Sequence, residues 1–250
     1  TYNSTGIYFY LVCEPYYIND EEIRNGAGPG KRGWVYSNYR DPYVLNVHFV
    51  NDLPDLAGEA VWPWGSSNMG TFVETGESRS TQHANTLAHE AGHCLGLLHT
   101  HHGTGTTFNK DAEKCKQEFV SRPALNSFLW CGNNKKKCEE YGDGLCDTEA
   151  DPGLGLVRLG DQVNNGIYAG VGTDKDSPGQ TWDPDVDLIM SYSEWDLRNR
   201  FTPMQQAVML FYSTINTQPF ATAEGLVNNQ NPDIDIYEPN NTVDFAERLT

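Results

Sequence analysis

The sequence predicts an α+β protein whose strands come early and whose two clearest helices lie far apart in the chain. The best strand pattern spans residues 43–50, and a second, shorter one covers residues 70–74. A helix with an apolar stripe follows, capped by Ser80 or Thr81, and another helix begins at Thr202. Strands that precede such a helix favour an α/β-type arrangement of the N-terminal half.

The composition is that of a folded, acidic protein. The 250 residues include 38% hydrophobic and 12% aromatic residues, enough for a sizeable core. The net charge of −17 argues against nucleic acid as a partner, because phosphate binding needs clustered Lys and Arg. No apolar run approaches the roughly 18 residues of a membrane span, so we expect no membrane partner. Excess carboxylate suits calcium binding and solubility outside the cell.

Before the first clear helix, the pattern alternates between strand and loop. Residues 7–12 are apolar and aromatic and predict a strand, and residues 19–24 predict a short helix. Residues 25–33, rich in glycine, predict a loop, as do residues 51–64. Within strand 43–50, His48 is expected to be a packed or surface histidine and not a metal ligand.

The helix after residue 80 carries the sequence His-Glu-x-x-His. Its apolar positions have helical spacing: Ala84, Leu87, Ala88, Ala91, Cys94 and Leu95. His89 and His93 are four residues apart, so both imidazoles lie on one face and can bind one metal ion. Two ordinary helix histidines are the alternative. Glu90, beside the first ligand, can accept the proton of a water molecule.

The motif continues to His-Glu-x-x-His-x-x-Gly-x-x-His, which favours a metal site over two ordinary helix histidines. Gly96 permits the left-handed turn that ends a helix, and the chain can then bring His99 back as a third nitrogen ligand. Three protein ligands leave one position of a tetrahedral zinc ion open for water. His101 and His102 lack the spacing of His99 and are expected to be spare loop histidines.

The six cysteines indicate disulfide bonds and an oxidising compartment. Four of them lie close together in a loop-rich region: Cys115, Cys131, Cys138 and Cys146. A second zinc site is the alternative for these four, although no Cys-x-x-Cys pair is present. Cys13 and Cys94 lie in apolar surroundings and either pair with each other or remain buried thiols.

The second half is irregular until residue 202. Residues 106–185 are polar and glycine-rich, with short helical patterns only at 112–120 and 124–129. Thr202 as N-cap, Pro203 at the first helical position and Gln205 three residues after the cap then predict a helix to about Ser213.

These motifs together resemble one family, the pappalysin family of the metzincin metalloproteases, in its cytophagalysin-like bacterial branch. The matching segments are Leu45–Val47, His89–Thr100, Gly144–Thr148, Ile189–Tyr192 and Phe201–Pro203 with Gln206. They cover roughly residues 40–215. The extended zinc motif and the distant Met190 are typical of the clan, and the Cys146-Asp147-Thr148 and Met190-Ser191-Tyr192 segments narrow the resemblance to the family.

The resemblance implies a metzincin zincin fold of two subdomains with a cleft between them. A twisted sheet with backing and active-site helices would form the upper subdomain, about 1–99. An irregular, disulfide-stapled lower subdomain, about 100–222, would end in a helix. Residues 1–222 would thus be the metallopeptidase catalytic domain. Residues 223–250 would be a linker or the start of a C-terminal accessory domain, and a simple tail is the alternative.

The resemblance also assigns site residues. Met190 would form a hydrophobic floor below the zinc, and the Tyr192 hydroxyl would stabilise the oxyanion. An acidic residue, Asp196 or else Glu194, would select Arg or Lys after the cut bond, unless Asp196 is a solvated loop charge. The substrate would pair with an edge strand near residues 70–74, through Gly70, Thr71 and Phe72. Calcium would be bound by Asp143, Asp147, Thr148 and Asp151.

The implied function is that of a secreted, monomeric zinc endopeptidase acting on polypeptides. The catalytic residues would be Glu90 and Tyr192, the zinc ligands His89, His93 and His99, and the cofactors Zn²⁺ and Ca²⁺. The alternatives are a non-catalytic, metal-stabilised binding or adhesion module and a zinc hydrolase of small amides.

Overall fold

The computed structural model describes residues 7–11, 14–24, 28–41, 44–54, 56–63, 70–75, 83–103, 118–120, 138–139, 141–154, 163–164, 167–168, 175–176 and 179–215. Several predictions fall outside this part of the chain: Cys13, Cys115, Cys131, the cap at Ser80 or Thr81, the helix at 124–129, most of the helix at 112–120, and residues 223–250. The chain forms two compact units. The first unit consists of Thr1–Gly96 together with Ala207–Thr250, and the second consists of Leu97–Gln206. The predicted subdomain limits near residues 99 and 222 stay predictions.

A small mixed sheet lies at the centre of the first unit. Its strands are β1 (Asn46–Val50), β2 (Gly58–Ala60) and β3 (Gly70–Glu74), in the order β1-β3-β2. β1 runs parallel to β3, and β2 runs antiparallel to it. Both edges of β3 are therefore occupied by other strands, and all five of its residues are buried. With the helices, this sheet makes the fold α+β.

Two helices precede the sheet, and one of them corrects the predicted loop at residues 25–33. They are α1 (Glu21–Arg24) and α2 (Pro29–Asn38). Proline suits the first turn of a helix because its φ is already helical and its missing N–H has no partner there. Burial of Val35 and Tyr36 outweighs the cost of about 1 kcal/mol for each interior glycine.

Two strand predictions were wrong in opposite ways. Residues 7–11 form no strand, and their side chains Tyr8, Phe9, Tyr10 and Leu11 are exposed, so the apolar pattern is not buried on a sheet. Conversely, β2 lies inside the predicted loop 51–64. Its sequence has little strand propensity, and pairing with β3 supplies the stability that the residues lack.

The core of the first unit is formed where α1, α2 and the sheet meet. It contains Ile23, Val35, Tyr36, Val50, Leu53 and Phe72. His48 packs into the same region, with its ring stacked on Phe72 at 4.8 Å and edge-on to Tyr36 at 5.4 Å. The expectation of a packed histidine is confirmed. The opposite face of β1 carries Phe49, which is exposed.

The helix that carries the histidine motif is α3 (His83–Cys94), which belongs to the first unit. Its predicted apolar stripe is confirmed for Ala91, Cys94 and Leu95, which are buried. None of the helices in the described ranges is both long and apolar enough to cross a membrane.

The described residues of the second unit lie mainly in turns and irregular segments, as predicted. Its described strands are β4 (Val163–Asn164) and β5 (Ile167–Tyr168), a short antiparallel pair. A disulfide joins Cys138 to Cys146, which confirms disulfide use for these two cysteines and disfavours a zinc site there. Buried Leu145, Leu154 and Leu188 supply apolar contacts.

The last described helix, α4 (Pro203–Ile215), begins as predicted. The Thr202 amide donates to Oε1 of Gln205 at 3.0 Å, and the Gln205 amide donates to Oγ1 of Thr202 at 3.2 Å. This reciprocal pair is the capping box that the sequence indicates. Asp147 extends the cap, since its carboxylate accepts hydrogen bonds from the Thr202 hydroxyl (2.8 Å) and the Met204 amide (2.7 Å).

Candidate metal centre and active site

The first two predicted ligands lie one turn apart on α3. His89 and His93 are both buried, and their ring centroids are 4.8 Å apart. The helix places them on one face because residues four apart are neighbours on its surface. Trp62 packs against His93 with ring centroids 4.8 Å apart. Sequence reasoning did not identify Trp62, because a tryptophan in a loop carries no local signal of the helix that it will contact.

Gly96 ends the helical segment and redirects the chain. Its φ is +88°, a left-handed backbone conformation that residues other than glycine rarely adopt. The Gly96 amide still donates to the carbonyl oxygen of His93 at 3.0 Å. The left-handed turn predicted from the sequence is therefore confirmed.

Three residues further on, His99 joins the first two histidines. Each of His89, His93 and His99 offers one ring nitrogen, and these atoms all lie within 4.8 Å of one another. Nitrogens bound to one zinc ion at about 2 Å are at most about 4 Å apart, so the three need little adjustment to share an ion. The donor set fits zinc, which takes three histidines in catalytic sites.

Glu90 is buried beside the edge strand β2. A Cβ atom built on Gly58 of β2 would lie 2.6 Å from Oε1 and 2.7 Å from Cγ of Glu90. The Glu90 side chain thus occupies the space that any side chain at position 58 would need. The sequence indicates Glu90 but not Gly58, because their contact depends on β2, which lies in the predicted loop 51–64.

Met190 and Tyr192 lie near His99. Met190 is fully buried, and its carbonyl oxygen accepts a hydrogen bond from the Thr100 amide at 3.2 Å. The Tyr192 ring lies 4.6 Å from the His99 ring, and the residue is 39% exposed. These positions agree with the roles that the resemblance implies, although the roles themselves stay predictions.

His101 is not the spare loop histidine that was expected. It is 6% exposed, and its ring stacks on His99 at 4.9 Å with an angle of 7° between the planes. The same ring lies 4.6 Å from Tyr192. Burial lowers the pKa of His101. Its spacing from His93 correctly argued against a ligand, but spacing cannot reveal packing against the ligand.

Cys94 is a buried free thiol, which decides between its two predicted states. Its Sγ donates a hydrogen bond to the carbonyl oxygen of Gly70 at 3.4 Å. Burial, together with the nearby Glu90 carboxylate, raises the pKa of Cys94 to about 12. The protonated thiol therefore forms a contact between α3 and β3.

The predicted substrate contacts at Gly70, Thr71 and Phe72 are corrected by the sheet order. β3 is the central strand, and Thr71 and Phe72 are fully buried. A substrate strand needs an edge with unpaired N–H and C=O groups. In the described sheet, β2 offers such an edge beside Glu90.

The acidic specificity candidates, Glu194 and Asp196, are both exposed. The turn that carries them is held by Arg198, which donates to the Ser191 carbonyl oxygen at 3.0 Å and lies 3.9 Å over the Trp195 ring. The specificity role of Asp196 stays a prediction.

The carboxylates among the predicted calcium ligands accept hydrogen bonds within the protein, and the Thr148 hydroxyl donates them. Oδ1 of Asp143 accepts from the Leu145 amide and the Thr148 hydroxyl, both at 3.0 Å. Asp147 caps α4, and Asp151 is buried among four donors. Among the described residues these carboxylates form no cluster of metal-ligand geometry. Calcium at this place stays a prediction.

The fold and site define an α+β protein with a three-histidine metal centre of the kind that holds zinc. No protein-family model matches the chain. The chain is similar to pappalysin-1 from Homo sapiens and to pappalysin-1 from Mus musculus, with 27% identity to each over 173 residues. The match covers 67% of this chain and 9% of each relative. The chain thus spans less than a tenth of the length of these curated relatives.

Proposed function

We propose that this protein is a zinc-dependent endopeptidase of the pappalysin type. The observation that carries the proposal is the convergence of the His89, His93 and His99 nitrogens within 4.8 Å, with Glu90 following the first of them. The similarity to pappalysin-1 supports the same function. Assignment to the cytophagalysin-like bacterial branch remains a prediction from the sequence.

In this mechanism His89, His93 and His99 would hold a zinc ion, and Glu90 would act as general base and then as general acid. A zinc ion supplies Lewis acidity, which acidifies water and polarises a carbonyl group. Glu90 accepts the proton of the attacking water and passes it to the leaving nitrogen. The Tyr192 hydroxyl donates a hydrogen bond to the developing oxyanion. The buried Met190 would provide an apolar floor for the site, the role that the resemblance implies.

The substrate strand lies along β2 in this proposal. The Val61 amide donates to the Gly70 carbonyl oxygen, and the Glu74 amide donates to the Ala57 carbonyl oxygen. Alternate residues of a strand point their backbone groups to opposite sides, so Gly58 and Ala60 direct theirs away from β3. Within the described sheet these groups face the outer side of β2, where an extended peptide would pair with them, and Glu90 lies against Gly58 of the same strand.

Further parts of the proposal concern specificity and setting. Asp196 selects Arg or Lys after the cut bond through a charge-assisted pair. Calcium on Asp143, Asp147, Thr148 and Asp151 would stabilise the loop region. The protein acts outside the cell as a monomer, and the Cys138–Cys146 disulfide supports an oxidising compartment.

The decisive experiment compares Glu90→Gln with the exposed-site control Glu149→Gln. Each variant is analysed for bound zinc by mass spectrometry and for casein cleavage with and without chelator. We expect Glu90→Gln to keep zinc and to lose cleavage by about 100-fold or more, because a general base contributes on that order. Wild-type cleavage by Glu90→Gln, or chelator-resistant cleavage by the wild type, would overturn the proposal. Cleavage-site profiling of Asp196→Asn on a peptide library tests the specificity, and equal profiles contradict it.

A further inference from the structure

A buried carboxylate connects the segment after the third histidine to the turn after Met190. Asp151 is 3% exposed. Its Oδ2 accepts a hydrogen bond from the Thr100 hydroxyl at 2.6 Å. The Ser191 hydroxyl approaches the same oxygen at 3.5 Å. Thr100 directly follows His99, and Ser191 directly follows Met190, so one carboxylate reaches both segments.

The carboxylate is itself held in place from the other side. Its Oδ1 accepts the amides of Gly153 at 2.7 Å and Leu154 at 3.1 Å. A buried charge is stable only when it is fully hydrogen-bonded, and these amides together with the two hydroxyls provide the partners. Asp151 therefore has a fixed orientation toward Thr100.

A backbone bond runs beside this link. The Thr100 amide donates to the Met190 carbonyl oxygen at 3.2 Å. The hydroxyl and the amide of Thr100 thus bind two different partners, and together they determine where the chain leaves His99. A shift of Thr100 would move the His99 ring relative to the turn that carries Tyr192.

We propose that Asp151 is a positioning residue for His99, acting through Thr100. Its effect on peptide cleavage rests on the proposed function, but the positioning itself does not. Hydrogen bonds to a charged acceptor are about twice as strong as those between neutral groups, which suits a fixed support. The resemblance implies a calcium role for this carboxylate, and the hydrogen bonds add a separate role in holding the segment that carries the third ligand.

The test changes Thr100, because Asp151→Ala would leave buried amides without acceptors and could prevent folding. Thr100→Val keeps the side-chain shape and removes the hydroxyl, and Thr100→Ser keeps the hydroxyl. Thr75→Val is the matched control, since its hydroxyl donates to the Val50 carbonyl oxygen in the first unit. Hydrogen exchange is measured on metal-free protein, and zinc affinity is measured by competition with a chromophoric chelator.

In Thr100→Val we expect the Thr100 amide to exchange about tenfold faster, with the Leu145 amide unchanged as an internal reference. Zinc affinity should fall by roughly 10–100-fold, the usual effect of losing support behind a ligand. Thr100→Ser should restore both values, and Thr75→Val should alter neither.

Two results would overturn the proposal. Equal exchange in Thr100→Val and Thr100→Ser would show that the hydroxyl makes no effective link. Faster exchange with unchanged zinc affinity would reduce Asp151 to a residue that stabilises the fold alone. If the wild type takes up no zinc, the proposed function fails, while the exchange comparison still decides whether the link exists.

Discussion

The ring of Tyr212 lies where a side chain on Gly96 would have to be. A Cβ atom built on Gly96 would approach Cδ2 of Tyr212 to 2.2 Å and Cε2 to 2.4 Å. Two separate reasons therefore favour glycine at this position of the zinc motif. It permits the left-handed backbone after α3, and it leaves room for an aromatic ring of α4.

Gly96→Ala should lower the free energy of unfolding by about 3 kcal/mol, since backbone strain and steric overlap add. Gly179→Ala is the matched control, because Gly179 has φ +94° with no neighbouring atom within 4 Å of an added Cβ. It should cost only about 1 kcal/mol. Denaturant unfolding measures both, and a double-mutant cycle with Tyr212→Ala isolates the overlap. Equal costs at the two glycines would mean that the ring is irrelevant.

Gly58→Ala should displace Glu90 and lower kcat by about 100-fold, because a misplaced catalytic group loses this much for a shift of about 1 Å. Bound zinc should stay at the wild-type level, and KM should change little, because the added methyl points at Glu90 and not along the free edge. Gly33→Ala is the control, with no atom within 4 Å of an added Cβ. Wild-type kcat in Gly58→Ala would contradict the placement of Glu90.

His48 should make the protein less stable in mild acid. Burial between Phe72 and Tyr36 lowers the pKa of His48 from 6.5 to about 4. The unfolded chain therefore binds a proton that the folded protein does not, and stability falls as the pH drops from about 6.5 toward 4. The loss at pH 4.5 is about 2–3 kcal/mol.

The contribution of His48 is measured from the free energy of unfolding of the wild type and of His48→Phe at pH 7 and pH 4.5. The phenylalanine variant keeps the aromatic packing and has no titrating group, so it should lose less stability than the wild type. An identical pH dependence of the two proteins would rule out His48 as the source.

Asp147→Ala should lower the free energy of unfolding by about 1–2 kcal/mol, because the Met204 amide and the Thr202 hydroxyl lose their acceptor at the start of α4. The exposed-site control Asp183→Ala should change it by less than about 0.5 kcal/mol. The loss should be the same in calcium-free buffer. A loss that appears only when calcium is present would instead favour the calcium role of Asp147.

Local signals predicted the parts of the protein whose cause is local. The capping box at Thr202 and Gln205, the turn at Gly96 and the strand at β3 all follow from the residues that form them. The spacing of His89, His93 and His99 likewise predicted their convergence, because a helix and one turn bring them together within eleven consecutive residues.

Errors arose where a distant partner determines the outcome. β2 has weak strand propensity and is stabilised by its pairing with β3, whereas residues 7–11 have the composition of a strand but form none. That change of strand moved the expected substrate edge from β3 to β2. The packing of His101 on His99 and the hydrogen bond from Thr100 to Asp151 were not predicted for the same reason, because both depend on contacts made only in the folded chain.

By itself, then, the sequence determined the three histidine donors, the glutamate beside the first of them and the helix that presents two of the imidazoles, since these depend on helical periodicity and one glycine turn. Only the tertiary structure decided which strand is left at the edge and what fills the space at Gly58. It alone also showed which carboxylate supports the segment after His99. Such contacts join residues far apart in the chain, and local preferences carry no information about them.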